Sequence, residues 1–184
     1  VLFRSDLSEN RDPQWVAGIV RSERSIPTAK GKLNIFVLDD GSSSVEITAD
    51  DALFTKFRPL LREDQLVICL LKIQNDRRNG GLRLALAEAI NLPTARCRFG
   101  KYLKISMLDK DVSASAPFKR LMSVLNQPKP IATDGGLPIR LHLQFEHTEV
   151  QLELGEKALL HPTDEVLAQL TSSMPIDDHL IIYE

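Results

Sequence analysis

The sequence predicts a five-stranded β-barrel followed by a small α+β module. Three observations predict it. Short β-type runs separated by Gly, Asn, Asp and Pro turns fill the first half. One brief helical pattern interrupts them after the third run. From about residue 101 the pattern changes to alternating strands mixed with two helical stretches.

Residues 1–14 read as a polar tail or linker. "WVAGIVRSER" (15–24) is a first strand, and "SIPTAKG" (25–31) is a loop punctuated by Pro27 and Gly31. "KLNIFVLDD" (32–40) and "SVEIT" (44–48) flank an acidic Gly/Ser turn and form a hairpin. Leu53, Phe54, Phe57, Leu60 and Leu61 recur at helical spacing, with Pro59 limiting the helix. "EDQLVICLLKIQ" (63–74) is a strongly apolar strand. "LRLALAEAINL" (82–92) has helical composition but pairs with it across "NDRRNGG" (75–81). The order β-β-β-α-β-β over 15–92 is that of an OB-fold, a Greek-key barrel whose strand two–three face and flanking loops bind oligonucleotides in many proteins.

Residues 93–101 read as a connector. In 102–184, "YLKISML" (102–108) alternates as a strand. Phe118, Leu121, Met122 and Leu125 share one helical face. "LPIRLHLQFE" (137–146) and "TEVQLELGE" (148–156) alternate and make a hairpin, and "KALLHP" (157–162) adds a short strand. "TDEVLAQLTSSM" (163–174) is a helix capped by Thr163 or Asp164, and "HLIIYE" is a terminal strand. The expectation is two helices on a mostly antiparallel sheet.

The 184 residues, 43% hydrophobic and 26% charged, suffice for two small cores. No apolar run is long enough to span a membrane, and no signal peptide is visible. A chain opening on Val1 is expected to be a processed product or a piece of something longer. Net charge is +2 over residues 1–100 (15 basic, 13 acidic) and −4 over 101–184 (8 basic, 12 acidic). Cys69 and Cys97 make no disulfide framework, which suits the cytoplasm.

The segments "VAGIV", "FVLDDGSSSVEI", "LFTKFRPLL", "LVIC" and above all "NGGLRL" resemble the OB domain of the bacterial replicative DNA polymerase III alpha subunit. "LHPTDEVLAQL" with its apolar terminus resembles the end of the same subunit. The ordered resemblance covers roughly residues 15 to 184. It implies a non-catalytic C-terminal region whose OB module contacts single-stranded template DNA and whose last module docks the clamp-loader tau subunit. It also implies a bacterial cytoplasmic setting, a sliding-clamp motif and a two-Mg²⁺ polymerase site elsewhere in the parent, and no cofactor here. The related error-prone alpha-type polymerases share the OB module. Asp50 stands where the family often has an aromatic, removing a stacking surface and adding repulsion towards phosphate.

Arg21, Arg24, Lys30 and Lys32 around loop one–two, with Lys72, Arg77, Arg78 and Arg83 around loop four–five, are the candidate phosphate contacts. Phe36 either stacks on a base or sits in the core, depending on strand parity. Leu180, Ile181, Ile182 and Tyr183 are the candidate partner-docking strand. Asp39 and Asp40 point to opposite faces of a strand, so they read as turn caps and not as a metal pair. The four histidines lack zinc spacing, and no nucleophile has a partnered base. The rival reading is a protein-interaction scaffold without nucleic-acid binding, favoured by the shortage of aromatics. An anticodon-type RNA-binding module is a second rival, opposed by the α+β module.

Overall fold

The computed structural model describes residues 12–29, 31–75, 80–108, 116–126, 135–172 and 181–183. The chain divides after Leu92 into two compact units.

The first unit is a closed barrel of strands β1 (Gln14–Thr28), β2 (Gly31–Asp39), β3 (Ser44–Asp50), β4 (Leu66–Asn75) and β5 (Leu82–Ile90), in the order β1-β2-β3-β5-β4. All pairings are antiparallel except β3–β5, the parallel pair that closes an OB-fold. β1 is long because it serves two partners. Gln14–Ile19 pair with β4 and Ile19–Thr28 with β2, with a bulge at Arg21 where the register shifts. Alternation decides the core: Val20, Phe36, Leu38, Ile47, Leu71 and Ile73 point inward and are buried.

The β2–β3 turn is held as its composition dictates. Asp39 accepts a hydrogen bond from the Gly41 N–H (2.8 Å), and Asp40 accepts from the N–H groups of Ser42 and Ser43 (both 2.9 Å). Gly41 takes φ +87°, which favours glycine. Helix α1 (Asp51–Phe57) follows β3. Asp50 caps it by accepting from the Leu53 N–H at 2.8 Å, and Phe54 and Leu61 join the barrel core.

The expected connector is a helix, α2 (Leu92–Phe99). Pro93 fits its first turn, where no intrahelical N–H is needed. The second unit then builds a sheet of β6 (Gly100–Leu108), β7 (Ile139–Gln144), β8 (Glu149–Glu153) and β9 (Ile181–Tyr183), ordered β8-β7-β6-β9. The outer pairs are antiparallel and the central β6–β7 pair is parallel, because helix α3 (Ala116–Leu125) lies between those strands in sequence. Thr163 caps helix α4 (Asp164–Thr171) by accepting from the Val166 N–H at 3.3 Å. Leu121, Val124 and Leu170 of the helices pack with Leu103, Ile105 and Ile139 of the sheet. Met122, expected on the buried face of α3, is exposed; Phe118's side chain lies outside the described residues. The expected strand at 157–162 is instead a 3-10 turn, Glu156–Ala158, followed by a single bridge from Leu160 to Leu137.

Candidate nucleic-acid interface

Strand pairing sorts the barrel's side chains into rows running across the strands. Phe36, Ile47, Leu84 and Ile73 form one row, and all are buried. The adjacent row, Arg24–Ile35–Thr48–Ala85–Lys72 on β1, β2, β3, β5 and β4, therefore points outward. Four interstrand steps carry it about 19 Å around the barrel. Its centre is small or aliphatic. Thr48 donates its hydroxyl to the Leu84 carbonyl at 2.9 Å, reinforcing the two-residue β3–β5 pairing and keeping the surface low there.

This parity corrects the reading of Phe36 as a stacking residue. Its exposure is 0%, so it is part of the barrel core. Ile35, buried at 8% exposure but outside the core cluster, and the half-buried Val37 take the outward positions. The consecutive apolar residues Ile35, Phe36 and Val37 concealed which face was which.

Lys72 and Arg83 lie on neighbouring strands, two register pairs apart and so on the same face, and both are exposed. Lys32 is exposed at the start of β2 opposite Pro27. None of the three has an ion pair among the described residues. The loop residues Lys30, Arg77 and Arg78 lie outside the described residues. Cations on β1 are engaged. Arg21 pairs with Asp39 and Asp64, both at 3.2 Å, and Arg24 pairs with Glu46 at 2.7 Å. The Gly41 N–H, and then Arg21, hold the Asp39 carboxyl below the usual range. Glu46 was not singled out from the sequence. Its one signal is strand alternation, which puts it on the outer face with Thr48.

In the second unit, Ile181 packs on the core, Ile182 is half-buried and Tyr183 is 52% exposed on β9, a sheet edge. Leu180 lies outside the described residues. The sheet face opposite the helices is polar. Arg140 stands 4.0 Å over the Tyr102 ring and pairs with Glu153 at 3.1 Å. His142 lies 3.8 Å from Glu149, and its Nε2 is buried without a hydrogen-bond partner. Desolvation, then Lys104, lowers its pKa. At α2, Arg96 bridges the carbonyl of Pro162 (2.9 Å) and the carboxylate of Asp164 (2.6 Å), tying that helix to the start of α4. Burial pushes the Cys69 thiol up to about 12, as expected of a core cysteine. Among the described residues no group of three or more His, Cys, Asp or Glu is placed to hold a metal ion. No helix among them is long and apolar enough to cross a membrane.

Residues 14–91 match the tRNA anti-codon family, described as an OB-fold nucleic acid binding domain. The chain is similar to the DNA polymerase III subunit alpha of Haemophilus influenzae, 32% identical over 91% of this chain and 14% of that protein. The corresponding subunit of Escherichia coli K12 is 26% identical over 84% of this chain and 13% of its own length. The chain thus spans about one seventh of the curated relatives it matches. Among solved structures, a replication protein A heterotrimer bound to ssDNA matches with 15% identity and a TM-score of 0.41, over 77% of this chain and 32% of that chain.

Proposed function

We propose that this chain, a homologue of part of the DNA polymerase III alpha subunit, supplies the non-catalytic single-strand-guiding region of such a polymerase. The observation that carries the reading is the outward row ending at Lys72, with Arg83 beside it, on the OB face that nucleic acids commonly occupy. These cations have no carboxylate partner among the described residues, so a phosphate backbone can take them without displacing one. With Phe36 in the core, the contacts are ionic and not stacked, so binding is weak, salt-sensitive and indifferent to sequence. Nucleotidyl transfer and its Mg²⁺ ions belong to the rest of the parent polymerase, in the bacterial cytoplasm.

The second unit is proposed to dock the clamp-loader tau subunit through the β9 edge. β9 ends the sheet among the described residues, and an edge strand with an exposed Tyr183 can be extended by a partner's strand. A sliding-clamp contact is assigned to the parent outside this region.

Fluorescence anisotropy of a labelled single-stranded oligonucleotide across a salt series tests the reading. Binding is expected at low salt and should fall when Lys72 and Arg83 are both changed to Glu. No binding at low salt by the folded protein would leave the scaffold reading, which the neutralised Arg21 and Arg24 favour. A pull-down with purified tau, using wild type and Tyr183→Ala, tests the edge.

A further inference from the structure

Arg24 is on β1 and Glu46 on β3, with β2 between them. Their 2.7 Å ion pair therefore crosses over β2, on the outer face where Ile35 and Val37 stand. Both side chains are well exposed, 60% and 58%, so the pair lies at the surface a nucleic acid would reach and not beneath it. A carboxylate and a phosphate oxygen make the same charge-assisted hydrogen bond to a guanidinium. We propose that Glu46 acts as an internal phosphate mimic, occupying Arg24 and masking the β1 end of the nucleic-acid path. This rests on the single-strand reading above and deepens it.

The consequence is a path with two unequal ends. At the β4–β5 end Lys72 and Arg83 take phosphate directly. At the β1 end the backbone must first displace Glu46. An exposed ion pair is weak enough for phosphate to compete with it, yet its presence subtracts one contact's worth of affinity. Glu46 thereby keeps the strand loosely held, as a guide for a moving template requires.

The test is anisotropy with oligo(dT) on four proteins: wild type, Glu46→Gln, Arg24→Gln/Glu46→Gln and Glu63→Gln. Glu63 is an exposed barrel-unit carboxylate with no ion pair among the described residues and controls for net charge. Glu46→Gln should tighten binding about 1.5- to fivefold, the range of an exposed ion pair. Its log–log salt slope should steepen by about 0.7, the value of one additional phosphate contact on a single strand. The double variant should lose that gain, and Glu63→Gln should show none. Unchanged affinity in Glu46→Gln, or an equal gain in Glu63→Gln, overturns the mask while leaving the groove intact. Absence of binding by wild type and Glu46→Gln alike overturns the single-strand reading together with it, whereas binding by Glu46→Gln alone supports both. Circular dichroism melts confirm that each variant is folded.

Discussion

Ser25 donates its hydroxyl to Oδ1 of Asn34 at 2.6 Å, across the β1–β2 pair. Asn34 is the buried polar side chain among the described residues, and its amide reaches Asp51 Oδ1 at 3.4 Å. A buried amide is tolerated only while its hydrogen bonds persist. Ser25→Ala leaves the buried Asn34 oxygen without its donor and should destabilise the barrel by about 1–3 kcal/mol, whereas Asn34→Ala removes the buried amide together with its need for a partner and should cost about 0.5–1.5 kcal/mol. Urea titration reads the difference; equal midpoints for wild type and Ser25→Ala would show that this contact contributes nothing.

At Gly18 the end of β2 comes close to β1. A β-carbon there would stand 2.7 Å from Leu38 Cγ and 2.8 Å from the Asp39 carbonyl oxygen. Leu38 is fully packed and cannot withdraw without disturbing the core. Gly18→Ala should destabilise by about 1–3 kcal/mol through overpacking, although alanine is the better strand former. A thermal melt that matches wild type would refute the close approach.

Asp50 does a structural task at a position where the sequence alone shows a repulsive charge. Replacing it with Ala removes the cap on α1 and should cost about 1 kcal/mol. Asp50→Asn keeps a capping oxygen and should retain most of that stability while easing repulsion towards DNA. Melts and anisotropy on the two variants separate the roles; equal melting temperatures for both would deny the cap.

His142 gives the second unit a pH dependence. Burial, Lys104 and Arg140 lower its pKa, and Glu149 only partly opposes them. The unfolded chain binds a proton near the ordinary value of 6.5, while the folded chain resists it. Stability is therefore fully present above 6.5, falls as pH drops below it, and stops falling from this source beneath the lowered folded value. His142→Gln should flatten that segment of a melting-temperature profile between pH 7.5 and 5.5. A profile with the same slope would remove His142 as its cause.

Much of this architecture is written in local pattern. The β2–β3 turn follows from Asp39, Asp40 and Gly41, and the α4 cap from Thr163, because each satisfies backbone groups within three residues of itself. What escaped depends on distant partners. The parity of β2 is undecided locally because Ile35, Phe36 and Val37 are all apolar; the β1 and β3 registers settle it. Helix α2 was concealed because, of its residues, Ala95 is the buried one and charged side chains surround it. The parallel β6–β7 pairing depends on a crossover through α3 that no strand's own sequence records. Of the candidate site, the exposed cations Lys72 and Arg83 were readable from turn position. The masking of Arg24 was not, since its partner lies 22 residues away on a strand it does not pair with.

The parallel β3–β5 pairing is two residues long, Ile47–Thr48 against Leu84–Ala85. Every other neighbour relation in the ring is several times longer. The barrel is thus a ring with one short clasp, fastened partly by the Thr48 hydroxyl. If the ring breathes, it parts there first, and amide hydrogens along that clasp trade with solvent sooner than those of β1 and β4. The clasp sits in the middle of the outward row, between Ile35 and Lys72, so a strand laid along that row bridges the joint and slows the same exchange.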